Sequence, residues 1–421
     1  MDVSSILDHL NDPQRNAVAA NSKHQMVLAG AGTGKTRVLV HRIAWLLQVE
    51  NISPFSIMSV TFTNKAAKEM MGRVTDLIGQ DMSELWGGTF HSIGHRVLRR
   101  HAETLGFNRS FTIQDREDAK GLVNACIAEA EIDVKATRFP KPDVVGDIGS
   151  LALNKQQSVR EVIEERYPRF EPLAAQIEDV LTRYTARKQA QGLMDFDDLL
   201  VLWLKLLKEH EDVRELYQKR FQFVLVDEYQ DTNQLQAELI DLLGERYKNV
   251  MVVGDDSQSI YSWRGANYEN IIEFPKRYPK AQVYKIETNY RSTPEILQLA
   301  NAAIAANTRQ FAKELAASRG PGEKPVVAVC SAADEQAAFV AQRALELREE
   351  GIELNDMAVL YRSHFHALEM QLELTRRNIP FSITSGIRFF EQAHIKDVTS
   401  YLKWLANPRD EQAFKLSLIH I

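Results

Sequence analysis

The chain has 421 residues, of which 44% are hydrophobic and 26% charged, and its net charge is −6. This composition is typical of a globular protein with two or more domains. The negative charge excludes a generally basic coat protein for nucleic acid, so any contact with DNA must use a local groove. Cys126 and Cys330 have no metal-ligand spacing and indicate a reducing compartment. Because neither a signal peptide nor a membrane span is evident, we expect a cytoplasmic protein without a membrane partner.

The chain begins with a short helical segment. Asn11 is predicted to cap a helix that begins near Pro13, which places Gln14 one helix upstream of a glycine-rich loop. The side-chain amide of Gln14 both donates and accepts hydrogen bonds, so it could read the edge of an adenine. A surface glutamine without a ligand is the alternative.

Residues 26–36, MVLAGAGTGKT, combine an apolar strand, a glycine-rich loop and the start of a helix. This order is that of the phosphate-binding loop of nucleotide hydrolases, and a solvated glycine turn is the alternative. Glycines let backbone N–H groups surround phosphate oxygens, and the helix N-terminus adds its dipole. Lys35 should reach the β- and γ-phosphates, and Thr36 should bind Mg²⁺. Ala29 stands where the strict pattern has its first glycine. The residues of this loop expected to hold the nucleotide are Ala29, Gly30, Ala31, Gly32, Thr33, Gly34, Lys35 and Thr36.

Two further apolar strands, Ile57–Thr63 and Trp86–Phe90, end in polar residues beside an aromatic ring. Ligands of open α/β sheets bind at the carboxyl ends of the strands. Polar and aromatic side chains at that edge suit phosphates and stacked bases. Core packing is an equally good interpretation of Phe62 and Phe90 from the sequence.

Residues 92–221 are helical in character and lack a strand–turn–helix rhythm, which predicts a helical insertion into the α/β domain. His91 and His95 lie four residues apart, with His101 further along. We expect no zinc there, because no glutamate follows His91 and no third ligand is evident.

The strand rhythm resumes at Phe223–Val226, which leads directly into Asp227 and Glu228. A strand that ends in Asp-Glu is the partner that a phosphate loop needs, because the aspartate holds Mg²⁺ and the glutamate polarises an attacking water. Two exposed acids after a strand are the alternative, which Lys35 and Thr36 upstream disfavour.

The next strand, Asn249–Val253, leads into the polar loop GDDSQSIYSWRGA. Gln258 in this loop is placed to sense a γ-phosphate. Tyr261 and Trp263, with Arg264 beside them, offer a platform on which bases stack without sequence preference. Two aromatic rings on one polar loop would make a poor core, so the pattern favours binding.

A second α/β unit follows. The strand Gln282–Ile286 ends near Arg291, which is the candidate arginine finger. Val326–Cys330 and Met357–Tyr361 are predicted to be strands on either side of a helix at Asp334–Glu349.

Eight blocks in this order resemble the UvrD/Rep/PcrA group of superfamily 1 DNA helicases: LNDPQ, AGAGTGKT, VTFTNKAAKEM, GTFHSIGHR, LVDEYQDTN, VVGDDSQSIYSWRGA, NYRST and VLYRS. The resemblance runs from the first residue to about Phe414. Ala29 fits it, because that family carries alanine before its G-x-G-K-T.

The resemblance implies an α/β fold of two RecA-like lobes with helical insertions, and ATP bound between the lobes. Lobe 1A would comprise residues 1–91 and 222–281, and residues 92–221 would be insertion 1B. Residues 282–384 would be the first half of lobe 2A. Residues 385–421 look helical, have no expected partner elements and would begin insertion 2B. The family continues well beyond this length, and the final LSLIHI does not match its continuation, so we expect a truncated N-terminal portion.

The resemblance also implies roles for single residues, with ATP and Mg²⁺ as cofactors. Gln14 would read adenine, Tyr290 would stack on it, and Arg37 would line the nucleotide. Mg²⁺ would be held by Thr36 and Asp227. The catalytic residues would be Lys35, Asp227, Glu228, Gln258 and Arg291. Single-stranded DNA would be contacted by Phe62, Asn64, His91, Tyr261, Trp263 and Arg264.

We therefore expect an ATP-dependent 3′→5′ DNA helicase of DNA repair that acts on single strands and their junctions with duplex. One alternative is a fragment that binds nucleotide and single-stranded DNA with little ATPase activity, because the second half of lobe 2A would be missing. Another is a P-loop enzyme that phosphorylates a small molecule, which the aromatic loop disfavours. Repair proteins are possible partners, and the sequence leaves both their identity and the choice between monomer and dimer open.

Overall fold

The computed structural model describes residues 3–21, 23–383 and 393–418. Contacts divide the chain into two compact units. The first runs from the N-terminus to Glu323 and resumes at Val398, and the second is Lys324–Asp397. Among the described residues, no helix has both the length and the apolar character needed to cross a bilayer.

The first unit is built on a six-stranded parallel sheet, which confirms the α/β fold class. Its order is β3-β2-β6-β7-β1-β8, and Met26 on β1 lies opposite Val252 on β7. The order sets the phosphate-loop strand β1 and the Asp-Glu strand β6 on either side of β7. The strands of this sheet are β1 (Gln25–Ala29), β2 (Ile57–Thr61), β3 (Trp86–Thr89), β6 (Phe223–Val226), β7 (Val250–Gly254) and β8 (Gln282–Ile286).

Both faces of strands β1, β2, β6 and β7 are buried, whereas the edge strand β8 is largely exposed. Successive side chains of a strand point to opposite faces, so each of these four strands contributes to two hydrophobic clusters. Val27 belongs to the hydrophobic cluster on one face together with Val38. Met26 and Leu28 belong to the cluster on the other face with Trp203. This arrangement explains why the strands read as continuous apolar runs.

Helices cover the sheet, and several begin at a side chain that accepts a backbone N–H. Asn11 and Gln14 cap one helix reciprocally, and Thr63 caps another through the N–H of Ala66. The helices around the sheet are α1 (Ser4–Leu7), α2 (Asp12–Val18), α3 (Lys35–Gln48), α4 (Asn64–Ile78), α5 (Phe90–His101), α13 (Gln234–Gly244), α14 (Glu269–Ile272), α15 (Phe274–Arg277) and α16 (Pro294–Ile304).

The predicted insertion contains two kinds of helix. The helices are α6 (Arg116–Glu129), α7 (Val134–Thr137), α8 (Pro142–Lys155), α9 (Val159–Arg166), α10 (Ala174–Gln191), α11 (Phe196–Glu209) and α12 (Glu211–Arg220). Four of them, α6, α8, α9 and α10, form a separate core around Val145 and Ile177, whereas the last two place Trp203 and Tyr217 in the sheet's own cluster.

Two short parallel ladders were not predicted from the sequence. One pairs β4 (Thr112–Ile113) with β5 (Leu193–Met194), and the other pairs β9 (Thr288–Asn289) with β10 (Ala316–Ala317). Strands of two residues are too short to show an alternating pattern. The domain boundaries proposed from the sequence stay predictions, although β8 joins the first sheet.

In the second unit, α17 (Ala333–Glu349) packs against α18 (His364–Arg376) around Ala341 and Leu374. The prediction of strands at 326–330 and 357–361 is wrong, since neither segment pairs in a strand ladder with another described segment. Both are largely exposed rather than buried between strands. A parallel strand needs neighbours for its backbone groups and cover on both faces, and the described residues provide neither.

The chain ends in α19 (Ala393–Ala406) and α20 (Glu411–Leu418), and residues 384–392 lie outside the described residues. The helical prediction is confirmed for these two segments. The expectation that they lack partners is wrong for the residues from Val398 onward. Lys403 pairs with Asp118 at 2.7 Å, and the Asn407 side chain donates to the Gln191 carbonyl at 2.9 Å.

Candidate functional site

The loop between β1 and α3 has the backbone of a phosphate cradle. Gly32 and Gly34 adopt φ values of +70° and +91°, which residues with a Cβ rarely adopt. The Thr33 hydroxyl closes the turn by donating to the Gly30 carbonyl at 2.8 Å. A Cβ at Gly32 would lie 2.7 Å from the Arg291 Cβ, so the loop also leaves no room for a side chain there.

Lys35 carries the clearest sign of an anion site. Its Nζ is buried and has no hydrogen-bond partner among the described residues, and it pairs with the Glu228 carboxylate at 3.2 Å. A buried ammonium without a hydrogen-bond partner is costly. Phosphate oxygens would satisfy it, so the loop fits a nucleotide.

Asp227 and Glu228 follow β6 at the same edge of the sheet. Glu228 adopts φ +48°, a left-handed conformation that costs energy for a non-glycine residue and is often found at functional sites. The Glu228 N–H donates to the Asp227 carboxylate at 2.9 Å. Burial and the neighbouring Glu228 charge raise the pKa of Asp227 to about 7. The Asp227 carboxylate and the Thr36 hydroxyl supply only oxygen donors, which fit Mg²⁺.

The phosphate loop is held by hydrogen bonds from two other parts of the chain, the start of α2 and the segment after β9. Gln14 is fully buried, which rules out a surface glutamine. Its Nε2 donates to the Thr33 carbonyl at 2.9 Å. Asn11 donates to the Tyr290 hydroxyl at 2.9 Å, and the Tyr290 N–H donates to the Gly32 carbonyl at 2.9 Å. The predicted nucleotide residues Gln14 and Tyr290 therefore both border the loop. Arg37, exposed on α3, borders it as well, since a Cβ on Gly34 would lie 3.6 Å from the Arg37 Cβ.

Gln258 belongs to a polar chain that leads back to Lys35. Its Nε2 donates to the Asp255 carboxylate at 2.6 Å. The Asp255 N–H donates to the Gln230 Oε1 at 3.0 Å, and the Gln230 Nε2 donates to Glu228 at 2.7 Å. Gln230 was missed from the sequence, because nothing in DEYQDTN marks it as the bridge between two strands.

The predicted stacking residues form an exposed aromatic cluster. The Phe62 and Tyr261 rings lie 4.9 Å apart between centroids, and Tyr261 and Trp263 lie 6.5 Å apart. The Arg264 guanidinium lies 4.6 Å from the Trp263 ring centroid. Trp263 is 62% and Phe62 39% exposed, whereas Phe90 is 6% exposed. Phe62 therefore lies at the surface, whereas Phe90 is part of the core.

A cavity of about 1540 Å³ adjoins the aromatic cluster and the Asp-Glu pair. It is lined by the aromatic cluster, by His91 and by the carboxylates Asp227 and Glu228. His91 also meets Phe196 edge-on at 6.0 Å. Asn64 accepts from the Thr89 hydroxyl at 3.4 Å. The Asp-Glu pair and all the sequence-predicted DNA residues except Asn64 therefore line a common cavity.

The sequence also missed Asn154 on α8. Its Oδ1 accepts from Asn233 at 2.5 Å and its Nδ2 donates to Asp197 at 2.8 Å. A Cβ on Gly265, next to the aromatic cluster, would lie 2.9 Å from the Asn154 Cβ. An asparagine within a helix carries no signal for such a link.

This sheet, with a phosphate cradle and an Asp-Glu pair at its carboxyl edge, defines a RecA-like P-loop nucleotide-binding protein. Residues 10–279 match the UvrD/REP helicase N-terminal domain, and residues 284–420 match the UvrD-like helicase C-terminal domain. The chain belongs to the UvrD/REP helicase family.

Named relatives agree with this assignment. The chain is 42% identical over 420 residues to DNA helicase II of Escherichia coli K12, covering 99% of this chain and 57% of the relative. It is 37% identical over 409 residues to ATP-dependent DNA helicase PcrA of Staphylococcus aureus Mu50, covering 97% of this chain and 55% of the relative. The chain thus spans little more than half the length of these relatives.

Proposed function

We propose that the protein is an ATP-dependent DNA helicase that moves 3′→5′ along a single strand and acts in DNA repair. The observation that carries the proposal is the cavity of about 1540 Å³ that joins the Asp-Glu pair to the aromatic cluster. Relatives named as DNA helicases support it. The polarity and the repair role come from the family resemblance.

The nucleotide half of the site suits hydrolysis of ATP. Lys35 would bind the β- and γ-phosphates, and Thr36 and Asp227 would hold Mg²⁺, which neutralises phosphate charge when bound. Glu228 would take the proton from the attacking water. Arg291, whose Cβ lies beside Gly32, would stabilise the charge that develops on the transferred phosphate.

The aromatic half suits single-stranded DNA. Bases stack on exposed rings without sequence preference, whereas a duplex keeps its bases stacked internally. Phe62 and Trp263 present exposed rings, the half-buried Tyr261 lies between them, and Arg264 adds a positive charge beside them. Junctions of single strand and duplex are the natural substrate, and the cytoplasm is the expected location.

A second candidate function is binding of nucleotide and single strands without turnover by this chain. Its support is that residues 326–330 and 357–361 do not form the strands expected of a second lobe. An arginine from such a lobe contributes about 10³–10⁵ in turnover in related phosphoryl transfer.

The test measures ATP hydrolysis with Mg²⁺, with and without a single-stranded oligonucleotide, and unwinding of duplexes with a 3′ or a 5′ tail. We expect DNA-stimulated hydrolysis that Glu228→Gln lowers by about 10²-fold or more, and unwinding only from the 3′ tail. Glu69→Gln, an exposed acid on α4 paired with Arg73, is the control. Nucleotide and DNA binding without hydrolysis would favour the second candidate, and hydrolysis indifferent to DNA would contradict the helicase.

A further inference from the structure

Lys313 is a buried cation that the proposed chemistry does not use. Its ammonium lies 2.7 Å from the Asp255 carboxylate and pairs with Asp256 as well. The three side chains are 7%, 4% and 1% exposed. Taking a lysine and two aspartates out of water is expensive unless their geometry is well matched. Lys313 lies between α16 and β10, outside every motif that the sequence revealed.

The carboxylate of Asp255 serves two partners at once. Its Oδ1 pairs with Lys313, and its Oδ2 accepts from the Gln258 Nε2 at 2.6 Å. The backbone N–H of the same residue bonds to Gln230, which holds Glu228. A continuous chain of contacts therefore links Lys313 to the Glu228–Lys35 pair at the phosphate loop.

The charge of Asp255 decides how the amide of Gln258 is oriented. Burial would raise the pKa of Asp255, but the hydrogen bond from Gln258 and the charge of Lys313 outweigh it and lower the pKa. An ionised carboxylate only accepts hydrogen bonds, so Gln258 must turn its NH₂ group toward Asp255. The second hydrogen of that NH₂ group stays available to another acceptor.

The segment that carries Lys313 has other anchors. The Phe311 N–H donates to Asp256 at 3.1 Å, Lys285 donates to the Ala312 carbonyl at 2.7 Å, and Asn301 donates to the Leu315 carbonyl at 3.0 Å. Because these bonds hold the backbone, the Lys313 side chain is not needed merely to fix the segment.

We propose that Lys313 is a positioning residue for γ-phosphate sensing, because it holds Asp255 so that Asp255 orients the amide of Gln258 toward the nucleotide. The inference rests on the proposed function and on the expectation from the sequence that Gln258 senses the γ-phosphate. Lys313 itself touches no substrate, and it makes recognition of a triphosphate depend on the segment between α16 and β10.

The experiment compares the affinities of the 421-residue chain for ADP and for a non-hydrolysable ATP analogue. Lys313→Gln is expected to reduce the preference for the triphosphate about tenfold, the effect of losing one hydrogen bond to a charged group, with unchanged ADP affinity. Gln258→Ala should have the same effect, and the double variant should equal Gln258→Ala alone. Lys313→Arg, which keeps the charge, should recover most of the preference.

Two control variants distinguish a role of Lys313 in orienting Gln258 from a role in holding the segment between α16 and β10. Lys285→Met removes another lysine that holds the segment, and Asp256→Asn alters the partner of Lys313 that does not touch Gln258. Both should keep the wild-type preference. If Lys313→Gln does not fold, as judged by its melting transition, Asp255→Asn replaces it and should lose the preference likewise.

A Lys313→Gln protein with the wild-type preference would overturn the inference. The inference would also be overturned if Lys313→Gln reduced the triphosphate preference of the Gln258→Ala protein as much as it reduces that of the wild type, because Lys313 would then act independently of Gln258. If the wild-type chain binds neither nucleotide, or Gln258→Ala leaves the preference unchanged, the assigned nucleotide site fails and the inference falls with it.

Discussion

The ammonium of Lys35 lies 3.2 Å from the carboxylate of Glu228, although they follow different strands that are separated by β7 in the sheet. None of the described residues forms a hydrogen bond with the Lys35 Nζ. Glu228 thus balances a charge that a phosphate would otherwise balance. We therefore expect nucleotide and Glu228 to compete for this one ammonium.

Removal of the ammonium should abolish tight nucleotide binding. Lys35→Met is expected to weaken the binding free energy of ATP by ~1.5–3 kcal/mol or more, since a hydrogen bond to a charged group contributes that range. Glu228→Gln should instead strengthen ATP affinity by ~1 kcal/mol or less, because it frees Lys35 from a partly exposed pair, while hydrolysis falls. Titration of a fluorescent ATP analogue measures both, with Lys68→Met on the exposed face of α4 as the control. Weaker binding by Glu228→Gln would contradict the competition.

Gly32 and Gly72 allow the same substitution to be compared in two different backbone conformations. Gly32→Ala should destabilise the fold by about 1–2 kcal/mol and weaken nucleotide binding, because φ +70° is unfavourable for alanine and its Cβ would meet Arg291 and Asn289. Gly72 lies within α4 with nothing within 4 Å of an added Cβ. Gly72→Ala should therefore stabilise by about 0.5–1 kcal/mol. Urea unfolding compares the two, and an unperturbed Gly32→Ala protein would show that the loop tolerates a side chain.

Asp227 should make the nucleotide-free protein lose stability as the pH rises. Its pKa is about 7 in the fold against 3.8 ordinarily, so between these values the native state binds more protons than the unfolded state. The free energy of unfolding therefore falls as the pH rises through this window. Asp227→Asn should flatten that slope, as measured by urea unfolding between pH 4 and 8, and equal slopes in both proteins would refute the assignment. Mg²⁺–nucleotide should bind the wild type better above pH 7, where the carboxylate is ionised.

Trp263 should contribute to binding of single strands and not to stability. Trp263→Ala is expected to weaken affinity for an oligonucleotide by about 1–3 kcal/mol, the value of one stacked base. Since the ring is 62% exposed, the free energy of unfolding should change by less than about 0.5 kcal/mol. Fluorescence anisotropy of a labelled oligonucleotide measures the effect. Phe55→Ala is the control, because Phe55 is 42% exposed and precedes β2, whereas Phe62 of the aromatic cluster follows that strand. Equal losses of affinity from both variants would contradict a specific stacking site.

Local pattern sufficed where a residue's role depends on its immediate neighbours in the chain. The strand Phe223–Val226 and the capping of α2 by Asn11 were predicted correctly. The strands predicted at 326–330 and 357–361 failed for the opposite reason, since an apolar run becomes a strand only beside another strand. The local pattern favoured a surface position for Gln14 and left Phe62 open between core and surface, and packing buried Gln14 and exposed Phe62.

The sequence by itself determined the phosphate loop, the Asp-Glu strand end and the aromatic loop, because each needs only a few consecutive residues of the right kind. Only the tertiary structure decided that Gln230 joins Glu228 to Asp255 and that Lys313 reaches Asp255 from beyond α16. Such contacts depend on the order of strands in the sheet and on which buried charges meet. Neither is encoded in the spacing of residues along the chain.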